Sequence, residues 1–166
     1  MLDQPSIGRS KFFDWISEHR EAPRESLETL SGMRIEDRST SLTERVSAAW
    51  VTPIRDLTVE QVRLLTSQRC GLQWLAEPVC QFIAHNPMAV VTFYAGDLSV
   101  AAPRVFDELL AAAPAPARAV AQIPFDWTAQ REASLADPEF RDDAIRFYNE
   151  IDDVVAAARA LARGHS

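Results

Sequence analysis

Two cysteines, three histidines and four tryptophans are among the scarce side chains of this 166-residue chain, and their spacing decides which chemistry they can share. Cys70 and Cys80 are ten residues apart, with His85 five further on. A zinc site draws its ligands from closer pairs, CxxC or HxxxH, which bring two donors to one side of a turn or helix. The thiols are therefore expected in the core as small apolar groups, and no metal is expected. His19, His85 and His165 stand in unrelated contexts. His85, just before Asn86-Pro87, is placed to meet the last carbonyls of a helix, where an imidazolium is favoured. Trp15, Trp50, Trp74 and Trp127 are read as core residues.

Catalysis leaves few traces here. There is no GxSxG elbow, no Gly-rich phosphate loop and no HExxH helix, and five glycines supply little backbone for a cradle. The adjacent carboxylates Asp142-Asp143 and Asp152-Asp153 diverge by about 100° on a helix, so neither pair holds a divalent ion without further oxygens. The expectation is a non-enzymatic protein with no cofactor.

Charge narrows the partners. The chain carries 24 acidic and 17 basic residues, a net charge of -7, and nine of the acids against five bases fall within residues 126–166. Such a surface repels phosphate backbones, so direct nucleic-acid binding is not expected, whereas a basic protein partner is compatible. No apolar run reaches the roughly 20 residues that span a bilayer, and the first residues lack the pattern of a secretory signal. A cytoplasmic protein without membrane contact is expected.

The elements that would position these residues are helical. Residues 10–20 read as a helix capped by Ser10, residues 26–30 as a helical turn and residues 41–50 as a helix stopped by Pro53. Thr58 and Gln61 have capping-box spacing, and Gly71 supplies a left-handed helix end. Leu72, Leu75, Val79, Phe82 and Ile83 mark the next helix, interrupted by Pro78. Either it begins near Leu75, or Pro78 kinks it. Residues 88–94 are β-branched and aromatic and read as a short strand or extended connector. Asp97 is placed to cap a helix running to about Leu110 and bent at Pro103, and residues 111–118 read as a connector. After Asp137 and Pro138, the residues Phe140, Ala144, Phe147, Ile151, Val154, Ala158 and Leu161 form an apolar seam about six turns long. Its opposite side carries Asp142, Asp143, Glu150, Asp152 and Asp153. These features predict a mainly α fold, a single-domain helical bundle with at most one short extended segment near residues 89–94. Residues 1–25 read as a helical N-terminal extension packed on a domain of residues 26–166.

One stretch resembles a known family. Pro53-Ile54-Arg55-Asp56-Leu57-Thr58-Val59-Glu60-Gln61-Val62-Arg63-Leu64-Leu65, then Gln68, Gly71-Leu72, Leu75, Pro78, Asn86-Pro87 and Tyr94-Ala95-Gly96-Asp97-Leu98, resemble in order and spacing the immunity proteins of bacterial contact-dependent growth inhibition (CDI) systems. Ser26-Leu27-Glu28-Thr29-Leu30 is similar to the opening of that pattern. Ala95 stands where the family usually has Pro, Gln61 where an acid is common, and Thr66-Ser67 where the pair is more apolar. The resemblance implies a cytoplasmic inhibitor that binds the C-terminal toxin domain of a cognate effector, commonly a nuclease with a basic cleft. The expected partner-binding residues are Asp142, Asp143, Glu150, Asp152 and Asp153, joined by Glu60, Tyr94 and Asp97 from the family-like motifs. The alternative is a regulatory or scaffold adaptor using the same acidic helix.

Overall fold

A helix starts where a side chain can satisfy amides that have no preceding turn to bond, and three helices of this chain start that way. The computed structural model describes residues 6–16, 22–92 and 96–164, and among these it contains helices, turns and connectors but no strand. Ser26 accepts from the Thr29 amide to open α1 (Leu27–Ser31), and Thr40 and Thr43 cap each other at α2 (Ser41–Val51). At α3 (Val59–Ser67), Thr58 accepts from the Gln61 amide at 3.2 Å while Gln61 Oε1 accepts from the Thr58 amide at 2.9 Å, so the predicted capping box is present. Gln61, in a position where the family favours an acid, performs this task without a charge. The two remaining first-turn amides are satisfied from far away in sequence: Val59 N–H donates to Ser10 O at 3.0 Å and Glu60 N–H to Gly8 O at 2.9 Å.

The end of α3 differs from expectation. Arg69, at φ +58°, is the left-handed residue that follows α3, and Gly71, at φ +71°, opens α4 (Leu72–His85). Pro78 lies inside α4, so the helix runs through it and the Trp74 carbonyl loses its usual donor. Pro103 divides the following stretch into α5 (Asp97–Ala101), a 3-10 turn (Ala102–Val105) and α6 (Phe106–Ala112). Residues 111–118, expected as a connector, are mostly helix: α7 (Pro114–Ala121) places Pro114 and Pro116 in its first turn, where no amide donor is needed. Among the described residues of the N-terminal segment, Phe12–Trp15 is helical, as a 3-10 turn, where a helix over residues 10–20 was expected; residues 17–21 lie outside the described part.

Helix α4 lies in the middle, packed on α3, α6 and α7. The core gathers Phe12, Leu65, Leu75, Phe82, Ile83 and Leu109, all inaccessible to solvent, with the Phe12 and Phe82 rings stacked at 5.2 Å. Residues 6–16 thus contribute core side chains as well as caps for α3. After α8 (Thr128–Ala136), the long α9 (Arg141–Gly164) closes over α6 and α7 and sends Ala158 and Ala162 into the same core. Its first half joins a smaller cluster of Val100, Ala144, Tyr148 and Ile151, flanked by Trp127, Leu135 and Phe147. The seam of α9 is shifted from the predicted one. Ala144, Tyr148, Ile151, Ala158 and Ala162 are buried, whereas Phe140 and Leu161 remain 55% and 40% exposed. The helix also begins later than expected, because Pro138–Phe140 form a turn in which Asp137 Oδ1 accepts from the Glu139 amide. The architecture is the mainly α single domain that the sequence predicts.

Burial of Phe12 against Phe82 sets a first prediction. Phe12→Ala should lower the unfolding free energy by about 3–5 kcal/mol in urea denaturation. An unchanged midpoint would show that the N-terminal segment is not part of the core.

Candidate functional site

The acidic side chains of α9 occupy its whole exposed half rather than one line. At about 100° per residue, Glu150 and Asp152 fall on opposite flanks, with Asp142 and Asp153 between them on the outermost line. Each flank is tied to the body by an arginine. Glu150 Oε1 lies 2.8 Å from Arg104 Nη2 of the 3-10 turn, and Asp152 Oδ2 lies 3.2 Å from Arg131 Nη1 of α8. Asp143 pairs with Arg146 one turn along at 2.8 Å. Asp142 and Asp153 are exposed and have no ionic partner among the described residues. Exposed pairs of this kind contribute little to stability. Their larger effect is on the field, since three of the five carboxylates face a guanidinium of the same chain.

The family-like motif residues lie elsewhere. Glu60, in the first turn of α3, pairs with Arg45 of α2 at 2.8 Å on the wall of a shallow groove of about 300 Å3 that also includes Arg9 and Gln61. Tyr94 lies outside the described residues. Asp97 is 1% exposed and turned inward. It does not cap α5, whose N-cap is Gly96. Instead Oδ1 accepts from the Val91 amide at 3.2 Å, Oδ2 accepts from the Thr92 amide at 2.8 Å, and Arg63 Nε of α3 lies 3.3 Å from Oδ2. A carboxylate out of water needs these partners, and they in turn fix the chain between α4 and α5. Gly96 is fitted to the same place. At φ +76° it adopts a conformation that side chains disfavour, and a Cβ there would lie 2.6 Å from the Trp127 ring.

No reacting constellation accompanies these groups among the described residues. Among the described residues, no three His, Cys, Asp or Glu side chains converge as metal ligands would. His85 ends α4 with Nδ1 2.8 Å from the Gln81 carbonyl. Burial pushes the Cys80 thiol up to about 12 and also raises Cys70, helped in each case by a nearby glutamate, so neither is an activated nucleophile. A second, open groove of about 480 Å3 is lined by Met33, Trp50, Leu72 and Trp74 together with Arg69, Gln73 and Glu108. Trp50 is buried and donates from Nε1 to the Met33 carbonyl at 2.7 Å, Trp74 and Trp127 are half-buried, and Trp15 is exposed. No helix among the described residues is long and apolar enough to cross a membrane.

What the arrangement offers is a packed helical body with a charged outer helix. The inward turn of Asp97 had no signal in the sequence, because its partners Arg63, Val91 and Thr92 come from other segments. In comparison with known proteins, a family model described as CDI immunity proteins matches residues 4–120. No curated protein and no solved structure matches the chain.

Two measurements check this account. Asp97→Asn leaves Arg63 facing an uncharged group and should cost about 3–5 kcal/mol in denaturant unfolding, the range for breaking a buried pair. A loss within 0.5 kcal/mol, about the scatter of ordinary surface substitutions, would remove Asp97 from its structural role. Cys80, raised above the roughly 8.5 of a free thiol, contributes stability that is complete below about pH 8 and declines as pH rises toward 12. In native protein at pH 8, a thiol reagent should modify Cys70 first and Cys80 only on unfolding; equal rates would contradict its burial.

Proposed function

The chain belongs to the CDI immunity protein family, and from that premise we propose that it is a non-enzymatic inhibitor that binds the C-terminal toxin domain of a cognate effector in the cytoplasm and blocks its activity. The observation that carries this reading is the family match across residues 4–120, which spans both α3 and the buried Asp97. We take the toxin domain to be a nuclease. A nuclease presents a basic cleft to its substrate, and a protein of net charge -7 is attracted to such a cleft while being repelled by the nucleic acid itself.

The acidic half of α9 is the contact this reading favours. Asp142 and Asp153 are its leading residues, since no arginine of the described chain neutralises them. Asp143, Glu150 and Asp152 can exchange a guanidinium of this chain for one of the partner at little cost, because their present pairs are exposed. Glu60 and Tyr94 are secondary contacts. Asp97 acts on the interface through the segment that it holds, since its own oxygens are enclosed. Complementary charge mainly accelerates encounter, whereas apolar burial slows dissociation.

Reversal of the two unpaired charges tests the assignment. Asp142→Lys combined with Asp153→Lys should slow association with the toxin domain about 10-fold at low salt, and the difference should shrink as salt is raised. Equal association rates for wild type and variant at low salt would reject this face.

A further inference from the structure

One guanidinium of this chain sits in a site that matches its shape. Arg131 of α8 donates from Nη1 to Asp152 Oδ2 at 3.2 Å and from Nη2 to Asn149 Oδ1 at 3.3 Å, and its Cζ lies 5.9 Å from the centroid of the Tyr148 ring. Carboxylate, amide oxygen and aromatic face meet because Tyr148 and Asn149 stand four and three residues before Asp152 on α9. A planar, forked cation engages all three at once, which the compact ammonium of a lysine does not. The site continues into the free acids. At about 100° per residue, Asn149 falls on the same outermost line as Asp142 and Asp153, which have no ionic partner among the described residues.

The fold asks little of Arg131. Its side chain is 41% exposed and that of Asp152 59%, and exposed pairs contribute little to stability. Helix α8 buries none of its residues fully. Gln130 Oε1, one residue before Arg131, is buried with no hydrogen-bond partner among the described residues, which is a cost of seating this helix. On the other flank of α9, the side chain of Arg104 meets Glu150 alone among the described residues.

We propose that Arg131 is an internal stand-in for an arginine of the toxin domain, and that Tyr148, Asn149 and Asp152 form a guanidinium subsite which the toxin's arginine takes over on binding. The inference rests on the immunity-protein reading and deepens it by naming the partner's side chain and the group that guards its place. The occupant is chosen by the group already there, since a site that satisfies one guanidinium satisfies another. Replacement is driven by the neighbours: an entering arginine arrives on a basic surface that also meets Asp142 and Asp153, which Arg131 leaves unpaired. A lone basic side chain gains nothing by the exchange, so the contact selects partners that bring several charges together.

The test uses the full chain and, as probe, a catalytically inactive C-terminal domain of the toxin encoded with it, with affinity read by titration calorimetry at low salt. Arg131→Ala and Arg131→Gln should each bind about 3- to 10-fold more tightly than wild type, because the subsite is empty before the toxin arrives. Adding Asn149→Ala to Arg131→Ala should cancel most of that gain. Arg38→Ala removes the same charge from the exposed connector between α1 and α2 and should leave affinity at the wild-type value. Affinity left unchanged or weakened by both Arg131 variants overturns the proposal, as a residue that merely holds α8 in place gives that result. A gain that Asn149→Ala leaves whole, or an equal gain from Arg38→Ala, overturns it too. In each of these cases the wild-type chain still binds and the immunity reading stands, whereas failure of the wild-type chain to bind the probe overturns both.

Discussion

A carboxylate enclosed in a protein must be surrounded by groups that replace its water, and Asp97 is where that demand organises this chain. Two backbone amides from residues 91 and 92 and the guanidinium of Arg63 meet it. The consequences spread outward from there. Holding residues 91 and 92 places the carbonyls of Val90 and Val91 beside the N-terminal segment, where Ile7 N–H donates to Val90 O and Ser6 Oγ to Val91 O. Gly8 passes so close to the Val91 carbonyl that a Cβ would stand 2.3 Å from it. The same segment caps α3 with the carbonyls of Gly8 and Ser10, and α3 carries Arg63 back to the carboxylate. The loop of dependence therefore closes on itself.

From this hub the outer helices take their places. Val100, on α5 just after Asp97, belongs to the cluster that seats the first half of α9. Gly96 lets Trp127 approach on the other side, where the ring stacks with Phe125 at 5.8 Å. The second half of α9 is held through Arg159, which donates to the carbonyls of Ala121 and Ile123 at 3.1 and 3.0 Å. A charged exterior is thus carried by an interior that fixes its orientation. On the proposed reading, seating both halves of α9 on the body lowers the backbone ordering cost of presenting its charges to a partner.

Local devices were legible in the sequence, and devices spanning several segments were not. The cap at Thr58 depends on a residue three further on, and it operates as that spacing implies. Pro103 interrupts its helix because the missing amide acts on its own neighbourhood. By contrast, Asp97 after Gly96 has the spacing of a cap, but burial gives its oxygens to Val91, Thr92 and Arg63 instead. The prolines of residues 111–118 suggested a connector, yet Pro114 and Pro116 fall in the first turn of α7, where they are tolerated. In α9 the large residues Phe140 and Leu161 suggested one phase for the seam. Packing keeps Ala144, Ile151 and Ala158 of that seam but joins to them Tyr148 and Ala162, leaving Phe140 and Leu161 exposed. Thr66 shows a related compromise: it is fully buried where the family favours an apolar residue, and its hydroxyl donates to the Val62 carbonyl at 2.8 Å. The acids of α9 were legible as residues, but their arginine partners on α8 and on the turn before α6 were not.

The central claim is that this protein acts by occupying another protein, with shape and negative potential taking the place of catalysis. Its most direct test is a titration of purified chain into the purified, active toxin domain encoded with it, following the toxin's own reaction. The account predicts that activity falls in proportion to added chain and disappears near one equivalent. Toxin activity that stays undiminished in the presence of excess chain would contradict it.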